Sequence, residues 1–177
     1  MFISQNLKKE NIAEYLLYMY QIEDIIRAQQ FDLDRLVKLV VEPSNLDKQR
    51  AAALKEWYRR LVFEMKQEEK MVKGHLNRLN EVVAELQFLH RDLLSGIGNE
   101  TYQRLYAIAR PNILALRQKS GNTQSGEIQA CLDGLYGYLL LKIQKKEINQ
   151  DTSEAMKSIQ EMIANLSAHY LNIKSIS

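Results

Sequence analysis

Residues 127–146 read EIQACLDGLYGYLLLKIQKK. Wound as a helix, Ile128, Cys131, Leu132, Leu135, Tyr136, Tyr138, Leu139, Leu140, Leu141 and Ile143 point nearly all round. A helix that is apolar on every side needs neighbours on every side, so this segment is the expected hub of a helical fold. Gly134 inside it costs about 1 kcal/mol against alanine unless another segment comes close. Lys142, Lys145 and Lys146 close the helix at the end where its dipole favours cations.

The flanks carry the same periodicity. Downstream, Asp151 and Glu154 read as a capping box for a last helix to about Asn172, with Met156, Ile159, Ile163, Leu166 and Tyr170 as its core stripe. Upstream, 120–126 is the most linker-like stretch. Before it, a helix from Asn99 or Glu100 to about Lys119 turns Tyr102, Leu105, Tyr106, Ala109, Ile113 and Leu116 inward, with Pro111 opposite, where it should kink the helix. Leu76, Leu79, Val83, Leu86, His90 and Leu93 repeat at three and four residues up to a cap at Gly96, and 96–100 reads as a loop. A long helix with Ser44 as its N-cap and Leu54, Trp57, Leu61, Met65 and Val72 on one side runs to about Lys73, where Gly74 either ends or softens it. Glu42, before Pro43, is biased away from the α region. Leu7–Gln30 reads as one amphipathic helix carrying Ile12, Tyr15, Met19, Ile22 and Ile26, and Asp32 caps a short one after it. With no strand alternation and short loops, the expectation is an all-α, single-domain bundle of six to seven mostly antiparallel helices over 1–177.

The whole composition agrees with a packed domain. A chain of 177 residues and 20.6 kDa should expose roughly 8,900 Å² when folded. Residues 1–95 carry 15 basic and 15 acidic residues, and 96–177 carry 9 and 7. That balance argues against a general grip on nucleic acid. Charges at Lys8, Lys9, Glu10 and Glu14 break up any signal-peptide core, and no apolar run approaches a membrane span. The lone Cys131 forms no intramolecular disulfide and suits a reducing cytoplasm.

Two stretches, Lys9-Glu10-Asn11-Ile12-Ala13-Glu14-Tyr15-Leu16-Leu17-Tyr18-Met19 and Cys131-Leu132-Asp133-Gly134-Leu135-Tyr136-Gly137 continuing through Leu139–Leu141 to Gln144–Ile148, resemble an uncharacterised helical family from Bacteroidetes, domain of unknown function 4924. The resemblance spans nearly the whole chain. It implies an all-helical single domain of bacterial origin and supplies no activity, so no functional residue carries over.

Read for chemistry, the residues favour binding over catalysis. No Glu-x-x-His pair precedes His75, His90 or His169, so no di-iron centre and no other metal is expected. No phosphate-binding glycine loop occurs, and no cofactor is expected. Cys131 lies on the inward side of the most apolar helix, where a thiol is inert. Lys48, Lys55 and Arg59 share a face but are interleaved with Asp47 and Glu56, which reads as a solvated surface. Glu23 falls inside the apolar sector of its helix and needs a partner, His90 or Arg110. Glu23, His90, Tyr136 and Tyr138 are therefore the candidate ligand-binding residues. The expected function is a cytoplasmic protein-interaction or self-associating module, with no nucleic-acid, membrane or metal partner. The alternative is a small-ligand binder or enzyme with a pocket near the 127–146 helix.

Overall fold

The computed structural model describes residues 1–96, 99–121 and 126–176. All regular structure among them is helical: α1 (Phe2–Glu10), α2 (Ile12–Ala28), α3 (Leu33–Leu36), α4 (Lys48–Gln67), α5 (Asn77–Ser95), α6 (Glu100–Ser120), α7 (Glu127–Ile143) and α8 (Gln150–Ile176). Eight α-helices stand where six or seven were expected. The extra one arises at Asn11, whose extended backbone interrupts the expected Leu7–Gln30 helix and whose side chain accepts from the amides of Ala13 and Glu14. Asn11 also accepts from Ser167 on α8, so this break docks the first two helices onto the last. The expected loop over 96–100 and linker over 120–126 fall partly on residues 97, 98 and 122–125, outside the described ones.

Several helix ends differ from the sequence expectation, two of them through the same backbone closure. α4 stops at Gln67, six residues short of Lys73, because Glu69 turns left-handed and the Lys70 amide closes back on the Met65 carbonyl. α7 stops at Ile143 in the same way, with Lys145 left-handed and Lys146 bonded to Leu141. These are six-to-one closures without the usual glycine. Val72, beyond the true end of α4, is 87% exposed rather than in the core stripe. On α4 itself Tyr58 takes the buried place and Trp57 packs edge-on against it, ring centres 5.1 Å apart. After α3 the chain continues as one wide π turn, Val37–Val41, and a 3-10 turn, Glu42–Ser44, so Glu42 is helical despite Pro43. Asp47, not Ser44, caps α4 through the Arg50 amide. Asn149, not Asp151, caps α8 through the Thr152 amide.

The core periodicity holds elsewhere. Leu76, Leu79, Val83, Leu86, His90 and Leu93 are all buried, as are Ile12, Tyr15, Met19, Ile22 and Ile26. α6 runs unbroken through Pro111. α7 touches α2, α5, α6 and α8, but its burial is one-sided along its length. Ile128, Ala130, Cys131, Leu132 and Leu135 are buried, whereas Tyr138–Leu141 are half-buried and Ile143 is exposed. The hub is the first half of the helix.

Gly134 meets a side chain rather than a backbone. A Cβ built there would lie 2.4 Å from Leu116 Cδ2. Gly134→Leu is expected to destabilise the fold by about 1–3 kcal/mol through overpacking, read as a lower denaturation midpoint. Adding Leu116→Ala should recover part of the loss; no recovery would place the strain elsewhere.

Candidate functional site

Glu23 is fully buried on α2, and its partner is neither His90 nor Arg110. Its carboxylate accepts from His75 Nδ1 at 2.6 Å and from the Leu76 amide at 2.9 Å. The Tyr20 ring stacks on the His75 imidazole, centroids 3.5 Å apart, and meets the Tyr136 ring edge-on at 5.9 Å. One turn further along α2, Arg27 donates to the carbonyls of Lys70 and Gly74 and pairs with Asp24, which in turn accepts from Tyr136 Oη at 2.7 Å. Burial, reinforced by the Asp24 bond, pushes the Tyr136 phenol up, so it stays a donor at neutral pH. This cluster fastens the connector between α4 and α5 to α2. Leu76 begins α5 without a side-chain cap of its own, and the Glu23 and Glu68 carboxylates take the Leu76 and Asn77 amides instead. On sequence, His75 falls on a helix face similar to that of His90 and weighs only as a metal ligand, whereas in the structure it lies in the connector before α5.

His90 lies in a second cluster, where α5, α6 and α7 meet. Its Nε2 lies 3.3 Å from Glu127 and its Nδ1 2.6 Å from Tyr102 Oη. Tyr106 donates to the same Glu127 oxygen at 3.0 Å, and Arg117 stands 3.9 Å from the other. A carboxylate accepting from Nε2–H leaves Nδ1 to accept the Tyr102 hydroxyl, so the geometry suits a neutral imidazole. Burial holds the His90 pKa below its ordinary 6.5, with Glu127 pulling the other way. Burial likewise raises the Tyr102 phenol and the Cys131 thiol, which suits packing and not nucleophilic attack. Beside this cluster is an open cavity of about 430 Å³ reached by Gln87, His90, Arg91, Tyr106, Arg117 and Glu127.

Tyr138 belongs to neither cluster. Lys142 Nζ sits 4.3 Å from its ring centre. It borders a mostly apolar groove of about 490 Å³ between α6, α7 and α8, with Ala130, Gly134 and Gly137 as floor and Leu116, Leu141 and Met156 as walls. The four sequence candidates thus divide among three places, and only Glu23 and Tyr136 share one. Among the described residues, no three His, Cys, Asp or Glu side chains gather as metal ligands, and no helix is long and apolar enough to cross a membrane.

Two outcomes follow from the clusters. Glu23→Ala strands the Leu76 amide and the His75 ring and should cost roughly 2 kcal/mol or more, with faster proteolysis at 70–74 as the local sign. Unchanged stability would show that the connector is held without it. For His90 the native state binds the proton less well than the unfolded chain. Its contribution is therefore complete above about pH 6.5 and lost as pH falls below that value. Denaturation between pH 7.5 and 5 should show stability falling on the acid side, with a shallower fall in His90→Gln; parallel curves would exclude His90 as the titrating group.

Neither a curated protein nor a solved structure matches the chain. A family model, Domain of unknown function (DUF4924), matches residues 1–176, and the chain belongs to that family.

Proposed function

We propose that this protein is a single-domain bacterial, cytoplasmic module that works by binding protein rather than by catalysis. The observation that carries this reading is the uneven covering of α7. Its sequence is apolar all round, yet beyond Leu135 its apolar residues are only half-buried and its last one, Ile143, is 53% exposed. Apolar surface left open in this way marks an interaction site. The groove beside it supports the same reading, since Gly137 opens onto it and a Cβ there would meet nothing within 4 Å. The folded chain also exposes 11,013 Å², about a quarter more than a compact monomer of its mass.

Gly137→Phe puts its Cβ in open space and its ring towards the groove, and should leave the denaturation midpoint unchanged or higher, because glycine is the poorer helix former. The full chain and this variant are compared as baits in the native cell's extract, with sedimentation equilibrium to detect a second copy. The expected result is a protein, or a self-associated species, held by the native chain and lost in the variant. Identical captures and two monomers would overturn the reading. A second reading, a small-ligand site, is favoured by the polar cavity beside His90 and Glu127. It would appear as a small molecule co-purifying with the native chain and lost in Glu127→Gln.

A further inference from the structure

We propose that the end of the bundle formed by the 70–73 connector and the last turn of α7 docks an acidic, apolar-bearing segment of a partner protein. This rests on the protein-binding reading and adds the chemistry of the partner. The connector is held from beneath. Arg27 takes the carbonyls on both sides of it, Lys70 and Gly74, and Glu23 takes His75 and Leu76 just beyond. What this anchored backbone presents outward is Met71, 49% exposed, and Val72, the most exposed large apolar side chain in the described structure. The clamp seats buried Leu76 for the core but leaves Met71 and Val72 in water. It does remove the ordering cost that a flexible docking loop would meet on binding.

α7 arrives at the same end. Gln129 Nε2 lies 3.5 Å from Tyr20 Oη, and seven residues later Tyr136 bonds Asp24, so α2 and α7 run the same way. Asp24 is also the partner of Arg27, which grips the connector. Ile143 lies a further seven residues on, about 10 Å along the axis, towards the end of α2 from which Arg27 grips the connector. Lys70 and Lys73 flank Met71 and Val72, and Lys142, Lys145 and Lys146 surround Ile143. None of these five lysines forms an ion pair among the described residues. The acids of the same two segments are Glu68, already bonded to the Asn77 amide, Glu69 and Glu147, leaving the end net positive.

An apolar centre with a cationic rim selects a partner whose carboxylates surround apolar side chains. A second copy presenting the same end would bring lysine against lysine, which disfavours it as the occupant.

The probe is a labelled helical peptide with leucine on one face and glutamate on the other, titrated against the full chain by fluorescence anisotropy. Its lysine-for-glutamate counterpart and phosphatidylcholine–phosphatidylglycerol vesicles are run beside it. The acidic peptide should bind and the basic one should not, and added salt should weaken binding. Val72→Glu with Ile143→Glu should weaken it by about tenfold or more. Phe88→Glu, an exposed site 11 residues into α5, should leave it unchanged. Because all three positions are exposed, circular dichroism should be unaltered. Absence of acidic-peptide binding, equal binding of the basic peptide, indifference to the double variant, or vesicle binding abolished by that variant would each overturn the proposal. Failure here with the Gly137→Phe capture difference intact removes the acidic partner and leaves the protein-binding reading standing.

Discussion

A buried carboxylate without donors would be among the most costly features a small fold could carry, and the arrangement around Glu23 is built to avoid it. Its two acceptor oxygens take the His75 ring and the Leu76 amide, both just past the α4–α5 connector. The chain therefore has to bring residue 76 back against α2 before α5 can start. Tyr20 stacked on His75, and Arg27 on the connector carbonyls, extend the same tie along α2. α5 then lays its apolar stripe into the core, and His90 on that stripe reaches Glu127 at the start of α7. α7 is thus tied to α2 twice, through α5 at His90 and Glu127 and directly at Tyr136 and Asp24.

The carboxylates at the centres of the two polar clusters are satisfied, and this bears on function. Glu127 takes hydrogen bonds from His90 and Tyr106 with Arg117 nearby, and Glu23 takes two N–H groups. Such networks fix helices in register, since a half-satisfied network is worse than none. The unsettled surface is instead apolar, at the second half of α7, the adjoining groove and the exposed connector. In the proposed reading this incompletely covered apolar area, rather than the satisfied carboxylates, is where a partner would sit.

Of the candidate residues, Glu23 was legible because a carboxylate inside an apolar stripe is anomalous in any sequence. Its partner was not, because His75 lies in a connector with no periodicity and 52 residues away. His90 was legible as a member of the α5 stripe, while Tyr102 and Tyr106 beside it carry only the periodicity of the α6 core stripe, and no pattern singles out Arg117. Periodicity says which face a residue occupies and nothing about which face of which helix it will meet.

The amino-acid sequence by itself determined the helices and their inward faces, because apolar spacing of three and four is a local property that survives in any packing. It also marked α7 as the helix with most to bury. The tertiary structure decided where helices end and begin. Glu69 and Lys145 adopt a left-handed conformation that their side chains do not announce, and α5 is capped by Glu23 and Glu68 rather than by its own first residues. It also decided that only half of α7 would be covered, since burial depends on how far neighbouring helices extend alongside it. Hydrogen-bond closure and mutual coverage are non-local, so they become definite only once the helices have packed.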